Sequence, residues 1–172
     1  MVPVAVSVGI YVFGVHLTPD YNSGLYGEHG TAAVDLKARL GSALLCAVLI
    51  QVGLALWMYG RVPGARSAPR PVGTGHRVLG FLIFLFSLPI SLHCLTTYGI
   101  DTTSPRVAIH SFAGCATYGA FVAKVIVVRS KRLPGWLLPA MGSLLALTLA
   151  LLWYTAALWT LNGETVPGFS ST

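Results

Sequence analysis

The sequence predicts an all-α integral membrane protein, a bundle of five transmembrane helices with a four-helix core and a short first helix. Three observations lead there. Hydrophobic residues fill 55% of the 172 positions and charged residues only 9%, against roughly 25% charged in a soluble domain. Apolar runs recur at about the 20 residues that a bilayer core asks of a helix. The cations gather in alternate connections between those runs. With so few charges to coat a water-facing surface, the solvent that fits is lipid. The net charge of +6 does not argue for nucleic acid, because these cations sit in short inter-helix connections, where they fix orientation.

The elements follow in order. Residues 3–18 form the first run, which is short and has no basic flank. It lacks the cationic start and small-residue cleavage site of a signal peptide, so the start of the chain is expected to fall inside a longer first helix. Residues 36–59 are the second run. The stretch "RVPGARSAPRPVGTG", 61–75, is a Pro/Gly/Arg-rich linker. Residues 77–98, 107–128 and 137–161 are the third, fourth and fifth runs. These are helices, because backbone in lipid must satisfy its hydrogen bonds within the segment. Residues 1–161 then make one transmembrane domain, and the polar tail 162–172 is expected to be flexible.

Sorting the charges sets the topology. Arg61, Arg66, Arg70, Arg77, Lys124, Arg129, Lys131 and Arg132 fall on one side. Lys37, Arg39 and Arg106 fall on the other, with all five acids, Asp20, Glu28, Asp35, Asp101 and Glu164. The cationic side is cytoplasmic by the positive-inside rule, which puts the N-terminus in and the C-terminus out. A multi-pass protein of a bacterial cytoplasmic (inner) membrane is expected. Trp57, Trp136, Trp153 and Trp159 lie near run ends, as interfacial anchors do. Cys46, Cys94 and Cys115 fall inside apolar runs with no CxxC or CxxCH spacing, so they read as small hydrophobes.

Five histidines remain. His29, in "GEHGT", reads as a solvated loop residue. His16 closes the first run on the outer side, and His76 opens the third on the inner side. His93 lies six residues before Gly99 and His110 four after Arg106, depths of about 9 and 6 Å at the helical rise. The connection between them is short, so two imidazoles stand at similar depth on neighbouring antiparallel helices. That is the arrangement a b-type haem iron takes for axial ligation, and ionisable groups inside a membrane mark functional sites. Gly114 follows His110, and Gly80 follows His76, by four residues, which places each glycine beside its imidazole. Such a glycine leaves either a flat surface for a porphyrin or a close helix contact. Pro89 is expected to kink the third helix. His76 stands 17 residues from His93, about 25 Å along a helix, so the two cannot share an iron. Next to Arg77, His76 suits a haem propionate or a quinone head group.

The motifs His76-Arg77-x-x-Gly80, Leu88-Pro89-x-x-x-His93-Cys94, His110-Ser111-x-x-Gly114-Cys115, Tyr118-Gly119-Ala120-Phe121 and Leu133-Pro134-Gly135-Trp136 together resemble an uncharacterised family of small bacterial membrane proteins. The resemblance runs over residues 12–159 and implies no known activity. A more distant resemblance links HRxxG to b-type cytochromes such as ferric reductases. There the motif lies on a haem-bearing helix whose two histidines share one face. His76 and His93 fall about 100° apart around a helix, which departs from that pattern.

The expected function is electron transfer by one haem b near the outer face, held by His93 and His110 with His16 as alternative ligand. Electrons would pass between the quinol pool or another membrane donor and an extracytoplasmic redox partner. No nicotinamide- or flavin-binding segment is present in the sequence, so the chain reads as an electron-transfer subunit rather than a stand-alone enzyme. One alternative is a copper-handling protein using His16, His93, Cys94 and His110. Another is a non-catalytic subunit packed against a larger redox complex. The topology is tested by single cysteines at Ser67 and Ser171 in a background without the native thiols. Labelling from opposite sides of the membrane is expected; labelling from the same side overturns the five-helix count.

Overall fold

The computed structural model describes residues 1–64, 67–130 and 132–170. Arg66, Lys131 and Ser171, which enter the charge sorting and the labelling experiment, lie outside the described residues. Five helices follow one another: α1 (Val2–His16), α2 (Gly30–Met58), α3 (Arg70–Tyr98), α4 (Pro105–Arg129) and α5 (Leu137–Leu161). Four of them, α2 to α5, are long and apolar enough to cross a membrane. The 15 residues of α1 rise only about 22 Å.

Each helix starts where backbone chemistry permits. Pro3, Pro71 and Pro105 occupy the first turns of α1, α3 and α4, where a missing N–H costs nothing. The Ser104 side chain also caps α4 by accepting from Val107 N at 3.3 Å. Two boundaries differ from the sequence expectation. α2 starts six residues before position 36, and α3 starts seven before position 77. The linker 61–75 is therefore part helix, and Lys37 lies about two turns inside α2 rather than at its start. α3 continues through Pro89 and ends at Gly99, whose φ of 66° is the left-handed conformation that favours glycine.

α1 packs along α4, α4 along α5, α5 against α2, and α2 along α3. α3 meets α4 through side chains: Phe84 stacks on Phe121 at 4.1 Å, and Tyr118 donates to Ser91 Oγ at 2.5 Å. The buried positions are mostly small, among them Ala33, Ala38, Ala113, Cys115, Ala120 and Ala157. Large apolar residues face outward, with Phe81 60% and Leu147 67% exposed. This inversion is what lipid dictates, since helices in a bilayer gain from close backbone approach rather than from hiding leucines.

The connection 17–29 folds back over the end of α3. Asp20 N donates to Thr96 O at 3.0 Å, Leu25 and Glu28 form a bridge, and Leu25 is buried. The tail is not a loose end over its described part. Thr165–Val166 (β1) pairs with Phe169–Ser170 (β2) around Gly168, Val166 is buried, and Tyr154 donates to Pro167 O at 2.5 Å.

The tightest helix contact is at Gly119. A Cβ there would overlap the Ser7 side chain and stand 2.7 Å from the Pro3 carbonyl oxygen. Gly119→Val is expected to cost about 1–3 kcal/mol, the usual range for overpacking, and to loosen α1 first. Thermal melting together with protease access to a site placed before α1 measures both; an unchanged melting temperature refutes the packing assignment.

Candidate functional site

Two polar clusters occupy the end of the bundle that carries the 17–29 connection. The first gathers around His93, which is 6% exposed. Its Nε2 lies 3.2 Å from the Ser23 carbonyl oxygen, which can only accept, so Nε2 carries the proton. Its Nδ1 then accepts, from Lys37 Nζ at 3.4 Å and Thr97 Oγ1 at 3.3 Å. Thr97 also bonds Ser23 Oγ. Lys37 donates to Tyr98 OH at 3.4 Å and lies 4.5 Å over the same ring. His93 thus ties α3 to α2 and to the 17–29 connection at once.

The second cluster is built on a break in α5. Residues Trp153–Leu158 form a π-helical stretch, a local widening that recurs at functional sites. Thr155 in this stretch is fully buried. Arg106 donates to the Thr155 carbonyl at 2.6 Å, and its guanidinium lies 4.2 Å over the Trp159 ring. One turn along α4, on the same face, His110 Nδ1 lies 3.0 Å from Thr155 Oγ1. The Thr155 hydroxyl has a single proton, and it goes to Leu151 O at 2.7 Å. His110 must therefore donate from Nδ1, which leaves the lone pair on Nε2. Trp153 Nε1 donates to Ser42 Oγ at 3.0 Å and joins the stretch to α2.

Lys37, 3.4 Å from His93 Nδ1, belongs to the first cluster. Sequence reasoning missed it because a helix starting at 36 makes it a terminal cation. Thr97 and Thr155 are also missed, although a threonine four residues after a membrane histidine is a readable signal.

The remaining histidines separate. His16 is exposed at the end of α1. Among the described residues no three His, Cys, Asp or Glu side chains come together as a metal-ligand set, so His16, His93, Cys94 and His110 do not assemble a copper site as they stand. His29 is exposed but not merely solvated: its Nδ1 reaches Asn22 O at 3.0 Å, and its ring stands 2.6 Å from where a Gly24 Cβ would be. His76 lies at the opposite end of the bundle. The space beside Gly80 is filled by Gln51, whose Nε2 stands 2.5 Å from a Gly80 Cβ position and donates to the His76 carbonyl at 2.8 Å. Gly114 faces Leu152, 3.9 Å from its own Cβ position, an ordinary contact with α5.

A family model covering residues 1–168 matches the chain, and its description is a family of unknown function, DUF6529. The chain belongs to DUF6529. No curated protein and no solved structure matches it, so for this DUF6529 protein the site geometry bears the functional argument.

Thr155→Val keeps the side-chain volume and removes the hydroxyl that receives His110. A loss of about 1–2 kcal/mol is expected, in the range of interhelical hydrogen bonds within membranes, read by thermal melting in detergent. Stability equal to the parent means that the His110–Thr155 bond holds nothing.

Proposed function

We propose that this DUF6529 protein is a membrane b-type cytochrome-like electron-transfer protein that holds one haem b between His93 and His110. The observation that supports it most is the protonation of His110. Metal-ligating imidazoles donate their second ring N–H to a nearby oxygen, and His110 does this toward Thr155 while keeping Nε2 for a ligand. His93 has the same partner type, since Thr97 Oγ1 stands at its Nδ1. To ligate through Nε2 it moves its proton to Nδ1 and gives up the Ser23 carbonyl, and Lys37 keeps Tyr98 as its partner. His110 offers Nε2 as it stands, and His93 offers it after this exchange.

Bound haem supplies reversible one-electron uptake at iron. The chain's own residues do the rest. Thr155 and Thr97 orient the rings, and small residues on α2, α4 and α5 let the helices close around the site. The bilayer excludes water. The charge sorting supports a site toward the extracytoplasmic side of a bacterial inner membrane, and in this reading it works between a quinol or other membrane donor and a redox partner protein outside.

A second reading has its own observation. Both ring nitrogens of His93 are already engaged by the protein, as in a histidine that only joins helices. The chain is then a non-catalytic membrane subunit. The optical spectrum of protein purified from a haem-replete host decides between the two. Sharp reduced bands, with haem extracted by acid acetone, are expected. His93→Ala or His110→Ala should each leave high-spin haem or none, and His29→Ala should leave the spectrum unchanged. A colourless, folded protein sinks the haem reading and leaves the second.

A further inference from the structure

The end of the bundle opposite the two clusters holds a third polar layer, and this one is incomplete. Gln51 on α2 lies seven residues before Met58, His76 on α3 six after Arg70, and Lys124 on α4 five before Arg129. All three are therefore about 8–10 Å inside their helix ends. Lys124 is close enough to act on the His76 charge. The Gln51 amide is oriented by its Nε2 bond to the His76 carbonyl, which turns its Oε1 away from that carbonyl. Gln51 Oε1 and His76 Nδ1 are both buried and both lack a hydrogen-bond partner.

An unpaired buried polar atom costs about 1–3 kcal/mol, and no lipid tail can relieve it. Two such atoms on adjacent helices at one depth therefore point to a missing group. Its chemistry is constrained. Gln51 Oε1 can only accept, so the group must donate there. His76 Nδ1 takes either role, and the Lys124 ammonium needs an acceptor. The group must also enter from the membrane. A cavity of about 350 Å³ opens where α2 ends and α3 begins, lined by Trp57, Met58, Pro69, Arg70 and Gly73. Met58 is two turns beyond Gln51 on α2, and Gly73 is one turn before His76 on α3, so the cavity lies on the helix-end side of the two unpaired atoms, which do not themselves line it. Its lining offers apolar surface for the body of an amphiphile.

We propose that this layer is a binding site for the hydroxylated head group of a membrane-dissolved quinol, with one hydroxyl donating to Gln51 Oε1. Water satisfies the polar atoms but leaves the apolar cavity without an occupant. A quinone, which only accepts, leaves Gln51 Oε1 unpaired. The site is thus selective for the reduced form. It deepens the electron-transfer reading by placing the quinol, but binding here does not depend on the outer haem, whose presence the optical spectrum reports separately.

The experiment uses the full chain in phosphatidylcholine nanodiscs, titrated anaerobically by calorimetry with a short-chain naphthoquinone and with its quinol. The quinol is expected to bind about tenfold more tightly, the value of one buried hydrogen bond. Gln51→Met should abolish that preference; it deletes the unpaired acceptor together with the Nε2 bond to the His76 carbonyl, so ligand-free melting checks that the variant is folded. His76→Leu should weaken both ligands. The wild-type comparison stands even where a variant does not fold. No saturable binding, equal binding of the two forms, a preference that survives Gln51→Met, or saturation only by added phosphatidylglycerol each overturns the proposal.

Discussion

In hydrocarbon there is no water to take an unused hydrogen bond, and this protein is arranged around that fact. Every polar side chain inside its spans has to be answered by another part of the chain or by something bound. The answers come in layers. At one end His93, Lys37, Thr97 and Ser23 close on one another, and Arg106, His110 and Thr155 do the same. Midway, Tyr118 serves Ser87 and Ser91. At the other end Gln51 and His76 remain open. The closed layers hold helices together. The open layer joins α2 to α3 through the Gln51 Nε2 bond to the His76 carbonyl, and the cost of its two unpaired atoms points to a ligand there.

The closed layers also explain the shape of α5. A regular α-helix through Trp153–Leu158 engages each carbonyl with the amide four residues on. The π-helical stretch offers the Thr155 carbonyl to Arg106, and the same residue presents its hydroxyl to His110. The widening and the two α4 side chains thus support each other. A change at Thr155 acts on the helix and on the imidazole together, which is why His110 is the better-positioned of the two histidines. Small residues make this possible elsewhere, since Gly119 admits α1 and Gly80 admits the Gln51 side chain.

Much of this was legible in the sequence, and the gaps have physical reasons. The five helices follow from run length, and the family from the spacing of His, Pro and Gly motifs. The helix starts do not follow from apolarity, because polar first turns are ordinary when they protrude into the head-group region. Read by composition, 61–75 is a linker; read by position, Pro71 is a first-turn proline and begins a helix. The pair Pro167-Gly168 is a turn signal that accounts for the β1–β2 hairpin in a tail otherwise read as frayed. His93 and His110 stood out as polar atoms in greasy runs; Gln51 in "LLCAVLIQVGLALW" carries the same signal and was passed over. The π-helical stretch was illegible, because nothing in "WYTAAL" differs from an α-helical segment. The group that meets its Thr155 carbonyl is 49 residues away.

The cations complete the argument about orientation. With five acids in the chain, two of the three cations at the histidine-pair end turn to aromatic rings: Lys37 lies over Tyr98 and Arg106 over Trp159. Both also hold tertiary hydrogen bonds, so each has a packing reason to be on that side. At the other end Arg129 and Arg132 are exposed, and among the described residues Arg77 bonds the Gly73 carbonyl of its own helix and no other element. Exposed cations without a tertiary role are the ones the positive-inside rule counts. Setting aside the two that are committed to packing widens the asymmetry between the ends. It therefore supports a cytoplasmic position for the Gln51–His76 layer, and an outward one for the end where His93 and His110 are held.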